Sequence, residues 1–237
     1  MSIASFVKEQ ISNAADGSII TLADFTEVKN PQAVALTLSR LAKSGAITRL
    51  SKGQYCVPQK TRYGVLMPSE NEIIANLLEQ KGGYLAGASA LNRLGVTTQI
   101  PSEITIWGST STRSLRVGSL RLKFVKGGCE VTSTDDFPMT DILEALRLFP
   151  HIPSSSAFET LEVIKRSLKN LKKPKIKRLI DFSAEYRPAV RALLGALLQS
   201  LSLPYWKSLK ANLNPLTTFD LGISENLLPN RSFWRIR

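Results

Sequence analysis

The sequence predicts an α+β protein in two parts: an N-terminal winged helix-turn-helix over residues 1–60, and a larger mixed α+β domain over residues 69–237 with a small antiparallel sheet and several helices. Residues 61–68 are expected to be the linker. Three observations carry this. Helical and strand signals in the first sixty residues follow the order helix, strand, short helix, helix, hairpin. A new helix-start signal, Ser69 with Glu72, appears just beyond Pro68. The rest of the chain mixes alternating strand patterns with apolar stripes at helical spacing.

Ile3, Phe6, Val7 and Ile11 recur at helical spacing, which predicts a helix over residues 2–14, closed by Asp16-Gly17. Ser18-Ile19-Ile20 suits a short strand. Thr21 with Asp24 resembles a capping box, Asp standing for the usual Glu or Gln, and should start a short helix through Phe25. Asn30 is a good N-cap, and Pro31 fits a first helical position that needs no N–H. In the helix that follows, Val34, Leu38 and Leu41 share one dry face. Gln32, Leu36, Ser39 and Lys43 take the opposite face, with Arg40 at its margin. Gly45 caps the helix, and Ile47–Val57 forms two strands around Ser51-Lys52-Gly53, decorated by Arg49 and Lys52.

A helix with one dry face and one polar, cationic face, followed at once by a basic hairpin, suits a DNA duplex. The helix fills the major groove while the hairpin touches the backbone beside it. The candidate DNA-binding residues are therefore Gln32, Leu36, Ser39, Arg40, Lys43, Arg49 and Lys52. The plainer reading is that any surface helix has a polar face and any hairpin can carry two cations.

Beyond Pro68, Ile73, Ile74, Leu77 and Leu78 predict a helix to about Lys81, stopped by Gly82-Gly83. Residues 84–95 suggest a short strand entering a short helix capped by Gly95. Residues 103–107, 115–117 and 120–124 alternate as strands, the last two joined by a Gly118-Ser119 turn. Arg116, Arg121 and Lys123 could make that sheet an anion-binding surface, but alternating cations are what a solvated face and a protected edge normally show, and that reading is favoured. Met139–Phe149 is helical with Ile142, Leu143, Leu146 and Phe149 inward, and His151 falls in an exposed turn between prolines. Phe158, Leu161, Ile164, Leu168 and Leu171 form another inward stripe. Residues 189–201 are the most apolar helix and the expected centre of the second domain, and strand-forming residues continue to Arg237.

The 237 residues carry a formal charge of +12, unevenly placed: +3 over residues 1–60, −1 over 61–160 and +10 over 161–237. That balance favours a polyanionic partner. The densest run gives a second candidate anion-binding surface: Lys165, Arg166, Lys169, Lys172, Lys173, Lys175, Lys177 and Arg178. It is either an electrostatic footprint for nucleic acid or an acidic protein, or a solvated joint between helices. Only two cysteines are present, Cys56 and Cys129, and neither a signal peptide nor a membrane span is recognisable, so a cytoplasmic protein with no membrane partner is expected.

No Cys/His pair has metal-ligand spacing, and no phosphate loop or nucleophile elbow occurs; no enzyme activity, cofactor or metal is expected. The acidic group Asp135, Asp136, Asp141 and Glu144 is the one candidate for a hard cation, but the favoured reading is that Asp135 or Asp136 complements the dipole at the N-terminus of the following helix.

Three stretches carry a resemblance: Leu38–Leu41 through Gly53-Gln54-Tyr55, Tyr186–Ala196, and Asn214–Thr218 with Leu221-Gly222-Ile223. In these the chain resembles the AbiEi-like antitoxins and transcriptional regulators of type IV toxin-antitoxin, or abortive-infection, systems. The resemblance implies a winged-helix repressor of its own operon, with its own operator as DNA partner. It also implies a C-terminal domain that counteracts a nucleotidyltransferase-like toxin in phage defence, without a stable complex being required. Arg40, Arg49 and Lys52 match the family's basic positions in reader and wing. The alternative is an RNA-binding or protein-binding adaptor that works through residues 165–178 and keeps the winged helix as a structural module.

Overall fold

Ser2 accepts the Ser5 N–H at 3.1 Å and starts α1 (Ile3–Asn13) in the computed structural model, which describes residues 2–62, 64–66, 69–108, 111–117 and 119–237. After a turn at Gly17 comes β1 (Ile19–Thr21). The capping box at its end is reciprocal. The Asp24 carboxylate accepts the Thr21 N–H at 2.6 Å, and the Thr21 hydroxyl oxygen accepts from Ala23, opening a 3₁₀ turn that buries Phe25. Asn30 Oδ1 accepts the Ala33 N–H at 3.1 Å, and α2 runs Pro31–Lys43.

β2 (Thr48–Ser51) and β3 (Gln54–Cys56) follow as a hairpin, and β1 pairs with the other edge of β3, giving an antiparallel sheet in the order β1-β3-β2. Ile20 faces Tyr55 across it. Val7, Ile11, Ile20, Phe25, Val34, Leu38, Ile47, Tyr55 and Val57 form one core. Each fully buried aliphatic side chain in it contributes about 1.5–3 kcal/mol.

β4 (Gln59–Thr61) and β5 (Gly64–Leu66) pair antiparallel, so part of the stretch expected as linker is a two-stranded ladder; its end at Pro68 lies outside the described residues. At Ser69 the second box forms, with Glu72 accepting the Ser69 N–H at 2.7 Å and holding α3 (Glu70–Lys81) at its start. The same Ser69 backbone and hydroxyl bonds keep the Glu72 carboxyl below its ordinary range. The chain divides into two units: residues 1–81 with 115–121, and residues 82–114 with 122–237.

β6 (Tyr84–Ala86) leads into α4 (Ala88–Leu94), which Gly95 closes in the left-handed conformation at φ +80°. β7 (Ile104–Gly108), β8 (Arg113–Val117) and β9 (Leu120–Lys126) complete a sheet in the order β6-β7-β9-β8. β7 is antiparallel to β6 but parallel to β9, with Ile106 opposite Phe124, so the sheet is mixed where the sequence suggested antiparallel. The reason is the order: β8 takes the outer edge beyond β9, which leaves β9 beside β7. Gly118, placed by the sequence in the turn before Ser119, lies outside the described residues.

α5 (Phe137–Leu148) is buried without a break from Met139 to Leu146 and packs against β6, α4, α6 (Ala157–Lys169), α7 (Lys173–Ser183) and α8 (Pro188–Ser200). It therefore shares the centre with α8, the helix expected to be the centre of the second domain. Leu161, Ile164 and Leu168 are buried on α6, but Phe158 is 58% exposed. At 100° per residue Phe158 sits about 90° from the middle of that stripe. α7 starts inside the lysine run, with Pro174 in its first turn. A short α9 (Trp206–Ala211) precedes the tail, where Phe219 and Ile236 form a parallel bridge. Among the described residues no helix is long and apolar enough to cross a membrane.

Candidate nucleic-acid interface

α2 presents two unlike faces. Val34 and Leu38 are buried, and Thr37, buried beside them, satisfies its hydroxyl by donating to the Ala33 carbonyl at 2.8 Å. On the other side Gln32, Leu36, Arg40 and Lys43 are exposed and Ser39 is half-buried. Leu36 stands 53% exposed among these polar groups. Gly45, at φ +76°, turns the chain into the hairpin. Arg49 is exposed on β2, with Nε donating to the Ser51 carbonyl at 3.3 Å across an irregularity in the β2–β3 register. Lys52 is exposed in the turn that Gly53 permits at φ +78°. All seven sequence-derived positions thus carry at least partly exposed side chains on α2 or the hairpin that follows it.

The run from Lys165 to Arg178 is dispersed. Lys165 pairs with Glu162 at 2.9 Å, and with Arg166 and Lys169 borders a cavity of about 420 Å³ beside Ser200. Lys172 and Lys175 border a different cavity, of about 410 Å³, against Leu94 and Ile142. Lys173 and Lys177 are exposed. Arg178 turns away from the run: it donates to Asp136 and to the Glu130 carbonyl, both at 3.2 Å, and its guanidinium lies 4.4 Å from the centre of the Phe182 ring. Burial pushes the Asp136 carboxyl up, but the Arg178 and Thr132 hydrogen bonds outweigh it and hold the group below its ordinary range.

The acidic group is likewise parcelled out. Asp135 approaches Lys175 at 3.8 Å, and Asp141 accepts two bonds of 2.7 Å from Arg93. Burial still raises the Asp141 carboxyl above its ordinary range. Among the described residues no group of three or more His, Cys, Asp or Glu is placed to hold a metal ion.

Sequence reasoning missed the polar cluster buried beneath the mixed sheet. Glu144, fully buried on α5, accepts from the Gly87 N–H at 2.8 Å, from the Tyr186 hydroxyl at 3.1 Å and from Arg147 at 2.9 and 2.6 Å. Tyr186 and Tyr84 share a 3.1 Å hydroxyl contact; Trp107 stacks on Tyr186, and Arg147 lies over Trp107. Burial raises both tyrosines far above their ordinary range and pushes the Cys129 thiol up to about 11. Hydrogen bonds occupy both Glu144 oxygens, and a buried polar network so fully paired fixes the packing around it. The one signal was a glutamate inside the apolar run Ile142–Leu146.

No curated protein matches the chain. The crystal structure of the RV2827C protein from Mycobacterium tuberculosis is similar, with a TM-score of 0.48 and 16% identity over 90% of this chain and 82% of that one. Residues 6–148, which run from α1 to the end of α5, match a family model, and the chain belongs to that family, DUF6088, described as a family of unknown function.

Proposed function

We propose that the α1–β3 segment is a winged helix-turn-helix that binds duplex DNA in a sequence-dependent way and represses transcription of its own operon. The observation that carries the reading is the exposed face of α2, where Gln32, Leu36, Ser39, Arg40 and Lys43 stand opposite the buried Val34 and Leu38. Arg40 reads a base edge, Leu36 meets a thymine methyl, and Lys43, Arg49 and Lys52 contact phosphates. Nuclease footprinting over the DNA upstream of the coding region tests it: a discrete protected segment is expected, and uniform cleavage at saturating protein would refute it.

The proposal extends, on the sequence resemblance in Tyr186–Ala196 and Asn214–Thr218, to a second unit that counteracts a nucleotidyltransferase-like toxin. Co-expression of the full chain with such a toxin from a neighbouring gene should restore growth; continued toxicity with the protein present and folded would sink this part. The adaptor reading has less support, because the cations between Lys165 and Arg178 are spread over separate cavities and Arg178 is spent on Asp136.

A further inference from the structure

The tail builds a basic cavity that uses none of the residues in the lysine run. Asn214 Oδ1 accepts the Leu216 N–H at 2.9 Å and the Asn214 carbonyl accepts from Thr217 at 3.2 Å, a side-chain-supported turn that leaves Thr217 and Thr218 exposed. Phe219 then joins the last residues: its N–H donates to the Arg235 carbonyl and its carbonyl accepts from Arg237, both at 2.8 Å. Arg235, in the left-handed conformation at φ +56°, closes a 3₁₀ turn (Ser232–Trp234) just before the bridge. Ile236, 3% exposed, faces the core, while Arg235 and Arg237 are exposed on either side of it. Between turn and tail opens a cavity of about 670 Å³ bordered by Lys210, Thr217, Arg231, Phe233, Arg235 and Arg237.

The lining holds four cations and no Asp or Glu, and among the described residues Arg235 and Arg237 form no ion pair. Arg231 uses one nitrogen on the Ile223 carbonyl at 2.8 Å, and its buried Nε has no partner. Lys210 donates to the Phe233 carbonyl and sits 4.7 Å from the centre of that ring; burial, with the field of Arg235, keeps its ammonium below the ordinary range. Cations gathered with no Asp or Glu side chain among them repel one another, and an anion in the cavity relieves the cost. Guanidinium forks beside a threonine hydroxyl match phosphate oxygens. The volume suits a cofactor-sized ligand, and the ring of Phe233, 50% exposed at the rim, offers a planar group something to stack on.

We propose that this cavity binds a nucleotide, with phosphate on Arg235, Arg237 and Thr217 and the base against Phe233, either free or as the 5′ end of a single strand. The test is a titration of the full chain, followed by the fluorescence of Trp206 and Trp234, with adenosine triphosphate, adenosine and tripolyphosphate. Saturable binding of adenosine triphosphate is expected, with adenosine failing to bind over the same range. The Arg235→Gln, Arg237→Gln double variant should lose affinity by about tenfold or more. Phe233→Ala should weaken adenosine triphosphate and leave tripolyphosphate unchanged. These side chains are exposed, and an unchanged thermal midpoint of each variant shows that the fold is kept. A tetranucleotide with a 5′-phosphate binding more tightly than adenosine triphosphate identifies a strand end as the source; weaker binding identifies the free nucleotide. Equal affinity for adenosine and adenosine triphosphate, or an affinity for adenosine triphosphate untouched by the double arginine variant, would overturn the proposal.

Discussion

The indole ring of Trp234 covers Gly195 in the middle of α8: a Cβ at Gly195 would collide with Cη2, Cζ3 and Cζ2 of the ring. Trp234 is fully buried, and its Nε1 donates to Gln199 Oε1 at 2.7 Å, one turn further along the same helix. The tail is thus anchored to the helix by a residue pair in which only glycine leaves room. Gly195→Ala gains about 1 kcal/mol of helix propensity but overpacks the ring contact at about 1–3 kcal/mol, so a net loss of stability is expected. Denaturant unfolding of Gly195→Ala, with Gly195→Ala, Trp234→Leu as its partner, measures it; an alanine variant as stable as wild type would show that the ring yields.

Removing Glu144 should be costly because it leaves Arg147 and the Tyr186 hydroxyl without their acceptor in a dry interior. Glu144→Ala is expected to lose about 3–5 kcal/mol, and Glu144→Gln less, since an amide oxygen still accepts. Chemical denaturation distinguishes this from a surface-like change of about 0.5 kcal/mol or smaller.

The Asp136–Arg178 pair makes a prediction in pH. Asp136 has a native pKa below its unfolded value, so its contribution is fully present above the ordinary aspartate range and fades as pH falls from about 4 through the native value. Asp141, held above its ordinary range, trends the other way, so the effect is read as the difference between wild type and Asp136→Asn. That difference in unfolding midpoint should be constant near neutrality and shrink below pH of about 4. A gap independent of pH would mean that the ionised state of Asp136 adds nothing to stability.

The local starts of helices were legible and the long-range partners were not. Thr21 with Asp24, Asn30 with Pro31 and Ser69 with Glu72 each obey a rule spanning a few residues, and each cap is in place. The parallel pairing of β7 with β9 depends on which neighbour β8 prefers, which no single strand encodes. α7 was hidden because lysines around Pro174 look like a break, although proline is well tolerated in a first turn and lysines are solvated there. Glu144 meets Gly87 and Tyr186 from 57 and 42 residues away, beyond any periodicity. Exposure along α2 was readable because a helix of 3.6 residues per turn fixes the sides once Val34 and Leu38 are known to be inward.

If the hairpin lies along a duplex backbone, Arg49 and Lys52 each neutralise a phosphate. The Arg49→Ala, Lys52→Ala double variant should then lower the slope of log K against log salt by about two, with sequence preference kept. An unchanged slope would leave the hairpin with no part in binding.

The most direct measurement compares, at one fixed salt concentration, the affinity of the wild-type chain and of Arg40→Ala for the upstream duplex and for the same bases shuffled. Wild type is expected to prefer the upstream duplex, and Arg40→Ala to lose about 1–3 kcal/mol on that duplex while changing little on the shuffled one. Equal wild-type affinity for the two duplexes would contradict the account.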